Sequence, residues 1–86
     1  MYEIFLTERF KRDLRKVLRK NYKLKSKITK QVQILSVNPR YKSLRVHKLE
    51  GKNNWSLSVT SDIRIIFTIK ENRVLCTRIG SHDEVY

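Results

Sequence analysis

The sequence predicts an α+β fold in which an N-terminal strand and an antiparallel helical hairpin pack on one face of a small, mostly antiparallel twisted sheet. Three observations predict it. Apolar residues recur at helical spacing between Phe10 and Leu35; the period changes to two after Pro39; and alternating stretches separated by turn residues then run to the C-terminus. With 86 residues, the chain suffices for one domain, residues 1–86, with one modest core.

Tyr2–Leu6 reads as a short strand, with Ile4 and Leu6 alternating against Glu3 and Phe5. Thr7 is a suitable N-cap for the following helix, and Glu8 places a negative charge in the first turn, where the helix dipole favours it. Phe10, Leu14, Val17 and Leu18 then form one apolar stripe on an otherwise basic rod. Asn21-Tyr22 interrupts it. Leu24, Ile28, Val32 and Leu35 form a second stripe, which Asn38-Pro39 ends because proline disfavours helix in the residue before it. Two helices with so short a break make an antiparallel hairpin.

Leu44 and Val46 next alternate with Arg45 and His47, and Gly51–Asn54 reads as a turn. Trp55, Leu57 and Val59 alternate with Ser56, Ser58 and Thr60, the pattern of a half-buried strand. Ser61-Asp62 turns into a strand over Ile63–Ile69, and Glu71-Asn72 turns into another over Arg73–Ile79, ended by Gly80.

Twenty Lys and Arg face eight Asp and Glu, a formal net charge of +12. Such an imbalance speaks to partners rather than fold: a polyanion, or an acidic protein that neutralises it. The lone Cys76 cannot form an internal disulfide, and its apolar neighbours Val74 and Leu75 predict a buried reduced thiol. No signal peptide is expected, since charge follows Leu6 at once, and no apolar stretch approaches the ~20 residues that span a bilayer. The expected location is cytoplasmic, with no membrane partner. His47, Cys76 and His82 lack ligand-like spacing, so neither a metal nor another cofactor is expected.

Parity sorts the strand residues. With Trp55, Leu57 and Val59 facing the core, Ile63, Ile65 and Phe67 point one way and Arg64, Ile66 and Thr68 the other; Leu75 and Ile79 oppose Cys76 and Arg78. The helices cover one face, so the other is expected to be a partly open groove carrying His47, Ser58, Arg64 and Arg78, with Ile66, Val74 and Cys76 as its apolar floor. His82 follows four residues after Arg78. Two imidazoles able to move protons near neutral pH and two guanidiniums able to grip a phosphate make a kit for cutting RNA.

Asn38-Pro39-Arg40, His47-Lys48-Leu49-Glu50-Gly51, Trp55, Asp62–Phe67 and the terminal Ile79-Gly80-Ser81-His82-Asp83-Glu84-Val85-Tyr86 closely resemble the RelE/ParE superfamily of bacterial type II toxins, and within it the YafQ-type branch. The resemblance spans the whole chain. It implies a RelE-like fold and a ribosome-dependent messenger RNA endonuclease held inactive by an antitoxin. His47, Asp62, Arg64, Arg78, His82 and Tyr86 fall on that family's functional positions. Ser58 stands where the YafQ branch has a further histidine, which leaves the proton inventory one imidazole short.

Each residue has a plainer reading. Ser81–Glu84 fits a capping box that would make His82 part of a terminal turn, and His47 would otherwise be a solvated strand residue. Arg64 lies in an apolar run, where a guanidinium needs a partner; Asp62 is the obvious one, as a structural ion pair or as support for a phosphate clamp. Arg78 reads similarly. Tyr86 either frays or stacks on a base. The basic helix face, including Arg15 and Arg19, and its extension through Arg45, Lys48 and Lys52, is solvated surface or an RNA-backbone contact that positions without choosing sequence. The functional alternatives are a ParE-like DNA gyrase inhibitor of the same fold, which needs none of His47, His82 and Tyr86, and an inactive antitoxin-bound relic.

Overall fold

The computed structural model describes residues 1–49 and 53–86. Strands β1 (Glu3–Leu6), β2 (His47–Lys48), β3 (Trp55–Ser58), β4 (Ile63–Lys70) and β5 (Arg73–Ser81) form one sheet in the order β1-β5-β4-β3-β2. The β1–β5 pair is parallel and the others are antiparallel. The hairpin is α1 (Glu8–Lys20) and α2 (Leu24–Val37), and a single turn, α3 (His82–Val85), closes the chain. The proposed turn at Gly51–Asn54 falls partly, and Lys52 wholly, outside the described residues.

The hairpin forms as its apolar spacing predicts. The Thr7 side chain accepts the Phe10 N–H at 3.0 Å, Glu8 occupies the first turn of α1, and Arg19 and Lys20 the last. Phe10 from α1 and Ile28 and Leu35 from α2 pack with Leu57, Ile65, Phe67 and Ile79 in one core on the hairpin side of the sheet. No helix among the described residues is long and apolar enough to cross a membrane.

Two expectations about the strands fail. The first is the strand from Leu44 to His47. Lys42–Leu44 instead forms a 3₁₀ turn, Arg45 follows in the left-handed region (φ 49°), and only His47 and Lys48 pair with β3. Leu44 is fully buried in the core, and the left-handed residue redirects the backbone immediately after it. Core packing overrides a four-residue alternation that carries little energy of its own.

The second is the parity of β5. Ile66 pairs with Arg78 but Phe67 pairs with Cys76, so Thr77 is an extra residue bulged from the ladder. The bulge reverses the alternation N-terminal to it. Val74 and Cys76 join Ile79 in the core, whereas Leu75 is 38% exposed. Of the three residues expected to floor the open groove, Ile66 alone lies outside the core cluster. Burial pushes the Cys76 thiol up to about 12, consistent with an inert, protonated side chain.

Candidate active site

The site is organised around α3, which packs against β4 and β5. Four residues cannot hold a helix in isolation; this turn is held by what surrounds it. The Ser81 hydroxyl accepts the Glu84 N–H at 3.3 Å while Glu84 Oε1 accepts the Ser81 N–H at 2.9 Å, completing a capping box. The His82 N–H donates to the Asp62 carbonyl at 3.2 Å. The turn lies so close to β5 that a Cβ on Gly80 would stand 3.0 Å from Glu84 Oε1 and 3.2 Å from Val85 Cγ1. At the C-terminal end the Tyr86 hydroxyl donates to Ser56 Oγ at 2.5 Å.

The capping carboxylate titrates low. Its hydrogen bonds to the backbone and side chain of Ser81, helped by the Lys20 and Lys16 charges, hold Glu84 below the usual range. A carboxylate lowered by folding stabilises the folded turn above its unfolded pKa, about 4.3, and that contribution is lost as pH falls through the lower folded value. Titration by NMR below about pH 4 should therefore fray α3, with the Glu84 and Tyr86 amides losing protection before those of β4 and β5. Simultaneous loss throughout the sheet would mean that α3 does not open separately.

His82 and Tyr86, one turn apart, meet edge to face with ring centroids 4.2 Å apart. Tyr86 in turn reaches Ser56, whose register partner on β2 is His47. Directly opposed residues share a face of the sheet, so His47, Ser56, Tyr86 and His82 form a connected series on the side away from the hairpin. Ser58 pairs with Arg64, two positions along the same face. Arg64 is not held by Asp62: its Nη1 donates to the Thr60 carbonyl at 2.7 Å, and no carboxylate among the described residues forms an ion pair with it. The β3–β4 turn brings the Thr60 carbonyl back to the guanidinium, while Asp62 remains exposed and contributes its own carbonyl to α3. One of the five guanidinium donors is thereby used.

Arg78 belongs elsewhere. Its Nε donates to Asp13 Oδ2 at 2.8 Å, the same oxygen accepts the Ile79 N–H at 3.2 Å, and Arg9 approaches the other carboxylate oxygen at 3.6 Å. Asp13, 12% exposed at its side chain, thus ties α1 to β5 beyond the end of β1. Its role was missed, although it is the lone acidic residue between Arg9 and Lys20 and flanks the apolar stripe. Arg78 lines an open cleft of about 1020 Å³ with Arg12, Arg15, Lys16, Arg19 and Lys20 of α1. Glu84 lies on that cleft while His82 and Tyr86 do not line it, so α3 divides the basic surface from the imidazoles. Elsewhere, Lys48 Nζ lies 5.6 Å from the centroid of the Trp55 ring, and Arg45, three residues earlier in the chain, is exposed.

Residues 2–86 match the model of a family described as the bacterial toxin of type II toxin–antitoxin systems, YafQ. The chain belongs to the YafQ family of toxins. Among solved structures it resembles a metal-bound toxin from Helicobacter pylori (26% identity, TM-score 0.86, 100% of both chains covered). It also resembles YafQ in the DinJ–YafQ complex of E. coli (20% identity, TM-score 0.84, 100% of this chain and 99% of that one). A third similar structure is a YoeB/ParE toxin from Agrobacterium tumefaciens (17% identity, TM-score 0.82, 95% and 99%). No curated protein sequence matches. The α+β architecture is that of RelE/YafQ-type toxins, as expected from the residues. Within the YafQ frame, His82 and Tyr86 occupy the closing turn and His47 the short strand across from it.

Proposed function

We propose that the protein is an endoribonuclease that cleaves messenger RNA on the ribosome. The observation that carries this reading is the series His47, Ser56, Tyr86 and His82 on one face of the sheet, with the two imidazoles linked through one register pair, one hydrogen bond and one ring contact. One imidazole withdraws the proton of a ribose 2′-hydroxyl, which attacks the adjacent phosphodiester; the other protonates the departing 5′-oxygen. Arg64, with four donors remaining, stabilises the phosphoryl oxygens. The product end is a 2′,3′-cyclic phosphate. This chemistry needs no metal, because the nucleophile is carried by the substrate and side chains handle both protons. Asp62 acts through the carbonyl that receives α3, and Tyr86 presents an exposed aromatic ring for a base to stack on.

The α1 face, with Arg15 and Arg19, supplies backbone contacts to ribosomal RNA, and Arg45 and Lys48 extend them toward the imidazoles. Arg78 is anchored to Asp13 at the cleft, which makes it a contact of that surface rather than a clamp at His82. The charge of +12 and the DinJ–YafQ pairing support an acidic cognate antitoxin as the second partner. The two imidazoles favour this reading over gyrase inhibition, which the shared fold leaves equally accessible.

RNA ends mapped in a translating extract test it. Cuts within the ribosomal A site, and poor cutting of the same RNA without ribosomes, are expected. Intact messenger together with trapped gyrase–DNA cleavage complexes would replace it with a ParE-like activity.

A further inference from the structure

Ser56 carries a buried hydroxyl, 2% exposed, on the sheet face that the hairpin does not cover, one strand in from the edge. Alternation places it opposite the core, where it would be solvated; Tyr86 closes over it instead. The other polar ties of α3 are at its start or within the turn: the capping box, the His82 N–H on Asp62, and the Tyr86 N–H on the His82 carbonyl. The bond from Tyr86 to Ser56 is the one side-chain hydrogen bond, among the described residues, that ties the C-terminal end of α3 to the sheet. It joins residues 30 apart in sequence. The ring so held is the one against which His82 packs.

We infer that Ser56 is a positioning residue: through Tyr86 it fastens α3 to β3 and sets where the His82 imidazole stands. This rests on the nuclease reading for its effect on rate, but not for the fastening itself. The Tyr86 hydroxyl is then an anchor rather than a proton carrier. Ser56 joins both halves of the site, since its register partner is His47.

Ser56→Ala and Tyr86→Phe each remove the bond, and the second changes one atom on a residue that is 51% exposed, so its fold is not at risk. Hydrogen exchange of the Glu84 and Tyr86 amides should quicken about fivefold in either variant, the ratio for a net hydrogen bond of ordinary strength, and no further in the double variant. On programmed ribosomes kcat should fall by a similar factor in both, with KM unchanged, and Tyr86→Ala should fall lower because the ring is lost as well. Unchanged exchange in both single variants overturns the fastening. Additive losses in the double variant, or a Tyr86→Phe loss far beyond that of Ser56→Ala, overturn the shared role and place the phenol in the chemistry. If the parent protein does not cut RNA, the nuclease reading fails alone, and exchange still decides whether Ser56 holds α3.

Discussion

If the proposed nuclease reading holds, His82→Ala should lower ribosome-bound messenger cleavage by about 10²–10⁴-fold, the range that a positioned general acid or base supplies. Ribosome affinity should change little, because the proposed ribosome contact draws on the Lys and Arg of α1 rather than on a single imidazole. The fold survives, since the ring is exposed and the Ser81–Glu84 capping box does not involve it. His47→Ala behaves alike if both imidazoles carry protons, and less severely if it only contacts RNA. Arg64→Ala should also slow cleavage, and Arg64→Lys, which keeps the charge but loses the planar fork, should recover part of the rate. Single-turnover cleavage on programmed ribosomes, measured with binding, separates these effects. Cleavage by folded, bound His82→Ala at the parent rate would reduce this residue to part of a terminal turn.

Asp13→Ala should destabilise the fold through lost polar contacts alone. One carboxylate oxygen accepts from both the Arg78 guanidinium and the Ile79 backbone N–H. Its removal strands two donors at the corner where α1 crosses β5, one of them charged and partly buried. Hydrogen bonds to charged groups contribute about 1.5–3 kcal/mol each, and urea unfolding should show a loss of about 2 kcal/mol. Asp13→Asn retains an acceptor for the Ile79 amide and loses less. Combining Asp13→Ala with Arg78→Ala costs less than the sum, since the orphaned guanidinium goes too. An unchanged midpoint for Asp13→Ala would mean that solvent satisfies both donors.

Much of the architecture is legible in the chain because it rests on local periodicity. The stripes Phe10–Leu18 and Leu24–Leu35, the Thr7 cap, the Pro39 stop and the alternating strand at Trp55 each report a nearest-neighbour preference, and each forms where its pattern lies. The terminal segment is legible for the same reason: Ser81-His82-Asp83-Glu84 encodes its own capping box. The candidate site is only half legible. Alternation brings His47 and Arg64 to one face, but the partners of Arg64 and Arg78 depend on how the β3–β4 turn folds back and where α1 crosses β5.

The sequence by itself determined the order of elements, the helical hairpin, the core-facing side of β3 and β4, and the strong positive charge. Only the tertiary structure decided the bulge at Thr77, the burial of Val74 and Cys76, the pairing of Arg78 with Asp13 and the closure of Tyr86 over Ser56. The division has a physical cause. Periodicity records which side of an element avoids water, and it survives any change in the neighbours. A bulge, an ion pair between residues 65 apart or a hydrogen bond between residues 30 apart takes its energy from groups that meet only after the sheet has formed, so no local window of sequence contains it.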